Sequence, residues 1–86
     1  MATFDWLQLF KRHNINYVTE GPNYSRKMQA VIRCPFCGDA DPSEHLGVAK
    51  AGWWGCLRNA AHRGKSPHFL IQKLLGCSPE EARRIV

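Results

Sequence analysis

Between Cys34 and His62 the chain reads C-P-F-C-G, then eighteen residues from Cys37 to Cys56, then C-L-R-N-A-A-H. No other stretch limits the possible folds so sharply. Two thiols separated by two residues sit on a tight turn that points both sulfurs to one side, which suits one tetrahedral metal. A second pair delivered by a distant hairpin would close the site. Cys-x2-Cys followed by Cys-x5-His approximates the usual zinc spacings, with a wider final gap. Cys34, Cys37 and Cys56 are the first three expected ligands. His62 is preferred as the fourth, because Leu57 to Ala61 form a loop long enough to turn back on the metal. Its rivals are Cys77, read as a buried structural thiol between two helix signals, and His45 and His68. His13 is read as a surface residue near a helix end. Four protein ligands around one structural Zn2+ leave no open position to activate water, so hydrolysis at this metal is not expected.

A chain of 86 residues buries only about 60–65% of its unfolded surface, so its apolar core is marginal and a metal would supply the missing stability. Four cysteines could equally make disulfides. The start F-D-W-L-Q-L-F-K-R reads as an amphipathic helix and not as a secretion signal, which favours metal. No apolar run is long enough to span a membrane.

The expected fold is a small α+β zinc ribbon, with a three-stranded antiparallel sheet flanked by short helices. Residues 1-26 would form a helix and short strand packing on the ribbon, 27-65 the ribbon itself, and 66-86 the C-terminal helices. Thr3 is the expected cap of the first helix, with Phe4, Leu7 and Phe10 or Ile15 at helical spacing and Asn14 at its end. Ile15 to Thr19 reads as a short extended piece entering the turn Gly21-Pro22-Asn23. Strands are expected over Lys27 to Arg33, His45 to Lys50 and Trp53 to Cys56, the last two joined around Ala51-Gly52. Ser66-Pro67 and Ser78-Pro79-Glu80-Glu81 each signal a helix start, and Gly76 a helix end. The final helix stops after barely two turns without a terminating signal, so the chain is expected to continue past Val86 in a parent protein.

Net charge is +5 and the isoelectric point is near 9.3, a balance that suits a polyanionic partner. Lys50, Arg58, Arg63 and Lys65 lie around the second half of the motif. Trp53 and Trp54 are adjacent, so on a strand they point to opposite faces, and which one faces outward is open. One exposed ring among those cations would offer stacking and phosphate contacts to a single strand. Asp39, Asp41 and Glu44 could hold magnesium, although such a loop is more simply solvated. Neither a phosphate-cradling glycine loop nor a nucleophile-and-base pair stands out.

C-P-F-C-G-D-A-D-P-S-E-H-L-G-V-A-K, G-W-W-G-C and H-R-G-K-S-P-H-F-L together resemble the N-terminal zinc-binding domain of bacterial and phage DNA primases and primase-helicases. The likeness covers about residues 27–76. Pro42-Ser43 with Leu46 and Val48 match the family's strand, Cys56 its second knuckle, and Gly64 to Leu70 its glycine step and helix. Two features depart from the pattern. The common form has histidine second and ends in Cys-x2-Cys, whereas here Cys37 is second and His62 last. The family's polymerase domain, with its magnesium-binding carboxylates, is also absent. The resemblance implies a module that binds the single-stranded DNA template for RNA primer synthesis, beside a catalytic or helicase domain in the same or another chain. It further implies a cytoplasmic location at DNA, in a bacterial or phage-infected cell. The competing expectations are a ribbon that docks a protein partner through Trp53, Trp54 and the 67–75 helix, and a free-standing regulator.

Overall fold

The computed structural model of the chain describes residues 3–38 and 44–86. The acidic loop positions Asp39 and Asp41, and the Pro42-Ser43 pair, lie outside the described residues.

Asp5, not Thr3, caps the first helix, α1 (Trp6–Arg12): its carboxylate accepts the Gln8 N–H at 3.2 Å. Phe4, one position earlier, gives its backbone N–H to the Lys50 carbonyl at 2.8 Å, which ties this end of the chain to the later hairpin. Trp6, Leu9 and Phe10 form the buried stripe. Asn14 ends the helix as expected. It adopts φ 56°, and the Ile15 N–H reaches back to the Phe10 carbonyl at 2.9 Å, which closes the helix in a Schellman arrangement.

The extended piece that follows contributes one bridge, Val18 to Val31, and the turn at Gly21 closes through the Tyr24 N–H. Strands β1 (Ala30–Arg33), β2 (Glu44–Val48), β3 (Trp54–Cys56) and β4 (Arg63–Gly64) then form one sheet in the order β1-β2-β3-β4, each pair antiparallel. The expected three strands are therefore four. The added strand is two residues long and exists because the loop after Cys56 folds straight back: the Cys56 N–H bonds the His62 carbonyl at 2.9 Å, and Gly64 lands opposite Trp54. The β2–β3 hairpin turns at Gly52, whose φ of 100° suits glycine.

Helix α2 (His68–Leu75) ends at Gly76 in the left-handed region, as expected. Its start is different. Pro67 occupies the cap position in helical conformation, and Ser66 makes no capping bond. Helix α3 (Pro79–Ile85) begins as expected, with the Ser78 hydroxyl accepting the Glu81 N–H at 3.2 Å.

The helices do not merely flank a ribbon. Trp6, Leu9 and Phe10 of α1, Leu70 and Ile71 of α2 and Ala82 of α3 share one core with Ala30, Ile32, Leu46, Val48 and Trp54. Trp6 is anchored within it, its indole N–H on the Ala49 carbonyl at 2.8 Å. Cys34 and Cys56 sit at the rim of the same core, so folding of the sheet and placement of the thiols are one event. Among the described residues no helix is long and apolar enough to cross a membrane.

Candidate metal centre

Cys34 and Cys37 follow the end of β1 on a tight turn closed by the Gly38 N–H on the Cys34 carbonyl at 3.1 Å. Cys56 closes β3. His62 is brought to them by a compact loop in which the Asn59 side chain accepts the Ala61 N–H at 3.0 Å and the Asn59 carbonyl accepts the His62 N–H at 3.0 Å. These four residues offer donor atoms that all lie within 4.8 Å of one another.

The spacing can be tested against zinc. Tetrahedral bonds of about 2.3 Å to sulfur and about 2.0 Å to nitrogen require sulfurs about 3.8 Å apart and sulfur–nitrogen separations of about 3.5 Å. The Cys37 and Cys56 sulfurs are 3.7 Å apart, and Nδ1 of His62 lies 3.6 Å from Cys34 Sγ and 3.5 Å from Cys37 Sγ. A compact cluster of three thiols and one imidazole with this geometry matches a single structural Zn2+ site. Nδ1 is the nitrogen turned to the sulfurs, while Nε2 faces outward beside the Asn59 amide. Cys77, the rival thiol, lies outside the cluster between α2 and α3, 4.0 Å from the Ile71 carbonyl. His45 lies in β2 and His68 in the first turn of α2, its Nδ1 3.2 Å from the Ser66 hydroxyl; neither belongs to the cluster.

The thiols' electrostatics agree with a site built for a cation. Burial pushes the Cys34 thiol up to about 12 and raises that of Cys37 as well. Burial acts on Cys56 in the same direction, but the backbone N–H groups of Arg58 and Asn59 and the neighbouring thiols outweigh it and lower that group. Metal-free, burial therefore favours the protonated thiols of Cys34 and Cys37; a bound Zn2+ supplies the charge that makes thiolates favourable.

Phe36, between the two knuckle cysteines, is the residue that the sequence reading overlooked. Its ring stacks on Trp54 (centroids 5.3 Å apart, 10° between planes) and on Phe69 (5.6 Å, 2°), and tilts over the His62 imidazole at 5.4 Å. Lys73 Nζ lies 6.0 Å from the same ring. An aromatic residue inside a Cys-x2-Cys turn was the available signal. Its partners Phe69 and Lys73 could not be found from sequence, since the placement of α2 decides them.

The residues expected to touch nucleic acid are not gathered into one patch. Trp54 is withdrawn from that set: it is buried, with its indole N–H on the Ser66 carbonyl at 2.8 Å. Trp53 is the outward ring, 37% exposed. Arg58 follows Cys56 at the metal end and acts electrostatically on Cys37. Arg63 lies on β4 opposite Gly55. Lys65 follows β4, its carbonyl close to Gly52 at the hairpin end. Lys50 is in the hairpin turn itself, at the end of the sheet away from the metal, and faces a cleft near α1.

No protein-family model, curated protein or solved structure matches the chain.

Proposed function

We propose that the chain is a zinc-stabilised module that binds a single-stranded DNA template on the open face of its sheet, as the accessory domain of a primase or primase-helicase. The observation that carries this reading is the division of the sheet into two unlike faces. Leu46, Val48, Trp54 and Cys56 point into the core, so by strand alternation Gly47, Trp53, Gly55 and Leu57 take the other face. Towards β1 that face is covered, with Met28 lying over Gly47 and Val31 buried. Across β3 and β4 it carries Trp53, the low floor of Gly55, the exposed Leu57 and Arg63. A ring and an arginine on either side of a glycine suit a base stacked on Trp53 with its phosphate towards Arg63, and Arg58 extends the positive charge towards the metal. The net charge of +5 favours the same partner. The resemblance to primase zinc domains supplies the template role, and polymerisation would belong to another domain.

The test is fluorescence anisotropy of labelled single-stranded DNA with the zinc-loaded chain at several salt concentrations. Affinity is expected to fall steeply with salt, and Arg58→Ala with Arg63→Ala to weaken binding and flatten the salt slope by about 0.7 per lost phosphate contact. Trp53→Ala should cost about 1–3 kcal/mol. Binding unchanged in these variants would overturn the assignment.

One observation favours a second reading, a protein-docking module: Phe69 is 60% exposed and backed by Phe36. A partner held there would respond weakly to salt, and its binding would be lost in Phe69→Ala but not in Trp53→Ala.

A further inference from the structure

A second candidate region is a cleft away from the metal. It lies between the start of α1, the turn segment before β1 and the β2–β3 hairpin, and is an open cleft of about 880 Å3. That is within the range of small-molecule sites, about 300–1,000 Å3. Its walls are fixed by backbone and side-chain bonds: Phe4 N–H to the Lys50 carbonyl at 2.8 Å, Gln29 N–H to the Val48 carbonyl at 2.6 Å, and Trp6 N–H to the Gln29 side-chain oxygen at 2.8 Å. Arg26 and Lys27, neighbours in the turn segment before β1, and Lys50 from the β2–β3 hairpin line the same cleft. The carboxylate that borders it, Asp5, is already occupied in capping α1. Phe4 and Tyr24, both half-buried, contribute aromatic walls.

We propose that this cleft is a binding site for a nucleoside 5′-triphosphate, separate from both the metal centre and the open sheet face. Three cations answer the charge of a triphosphate, with the Arg26 guanidinium able to hold two phosphate oxygens at once. A single inorganic phosphate would fill little of the volume and touch neither ring. The base lies against Tyr24 or Phe4, and the phosphates run towards Arg26 and Lys50. The site requires nothing from Trp53, Arg58 or Arg63, so it stands or falls apart from template binding.

Calorimetric titration of the zinc-loaded chain with ATP, tripolyphosphate and adenosine in magnesium-free buffer tests it. ATP is expected to bind more tightly than tripolyphosphate and far more tightly than adenosine. Arg26→Ala with Lys50→Ala should lower ATP affinity about tenfold or more per cation removed, while Arg58→Ala with Arg63→Ala leaves it unchanged. All three lysine and arginine side chains of the cleft are exposed, and equal zinc content and circular dichroism in the variants show that the fold is retained. Tripolyphosphate binding as tightly as ATP, the absence of saturable ATP binding, or indifference to the cleft variants would overturn the proposal. So would an equal loss of single-stranded DNA binding in the Arg26 and Lys50 variants, since the cleft would then be a continuation of the strand's path. Failure of the chain to bind DNA, with ATP binding intact, would count against the template reading alone.

Discussion

A methyl group added at Gly64 would sit 2.7 Å from Cζ2 of Trp54 and 2.9 Å from its indole nitrogen. That ring cannot swing aside, because its N–H is held by the Ser66 carbonyl and its face by Phe36. Gly64→Ala is therefore expected to destabilise the fold by about 1–3 kcal/mol, read as a lower denaturant midpoint at unchanged slope. The same change at Gly47 also meets atoms at 2.7 Å, but they are the sulfur and terminal carbon of Met28, the free end of a flexible side chain. Gly47→Ala should stay within about 0.5 kcal/mol. At this scale the sequence was most legible where chemistry alone sets the pattern. The spacing of Cys34, Cys37, Cys56 and His62 needs only two tight turns and a hairpin, and the four donor atoms do converge. Strand parity separated Trp53 from Trp54 but could not say which was inside, because that depends on where α2 packs. Lys50 was grouped with Arg58 by nearness in sequence, yet a strand advances about 3.3 Å per residue and separates them to opposite ends of a hairpin.

Two serines before prolines, Ser66 and Ser78, give the same start signal, yet only one is a cap. Ser78 accepts the Glu81 N–H, so Ser78→Ala should cost about 1 kcal/mol and fray α3, lowering the thermal midpoint by about 4–8 °C. Ser66→Ala should move it little, since its hydroxyl lies beside His68 and bonds no helix N–H. The difference arises outside the helices: the Ser66 carbonyl is committed to Trp54, which fixes its backbone and shifts the helix start by one residue. At α1 the cap falls to Asp5, beside the Phe4 N–H that is bonded to the Lys50 carbonyl. Strand β4 had no legible signal at all. Arg63-Gly64 is too short to show alternation, and it pairs only because His62 must return to the thiols.

Cys34 and Cys56 belong to the core that also holds Trp6 and Leu70, so losing the metal is an event of the whole molecule. Zinc ligation contributes on the order of 10 kcal/mol of apparent free energy, comparable to the full stability of a small domain. Chelation should therefore abolish the cooperative melting transition and most of the native circular dichroism, across α1 as well as the sheet. A chelated chain with an unchanged melting point would contradict this. The dependence on pH has a definite sign. Without metal, burial holds the Cys34 thiol protonated up to about 12 and raises Cys37, so zinc must displace those protons. Binding should release the protons of Cys34 and Cys37, as ligation makes each a thiolate. Affinity rises with pH, and metal-linked stability is lost as pH falls. Zinc titrations followed by a chromophoric chelator at successive pH values check the slope.

The order β1-β2-β3-β4 puts the knuckle after β1 and the residue before β4 at opposite edges of the sheet. Edge strands three spacings apart would be separated by about 14 Å in a flat sheet, yet the Cys34 sulfur and the His62 ring are 3.6 Å apart. The knuckle after β1 and the loop before β4 therefore converge beyond the strand ends, and a metal held there acts as a rivet across the sheet. Mechanically, the chain from Cys34 to His62 becomes hidden length. A pull on the two termini can peel away α1, α2 and α3, but about 95 Å of extension stays locked until a metal–ligand bond breaks. Under load, the rivet and not the apolar core would set the force that the domain survives.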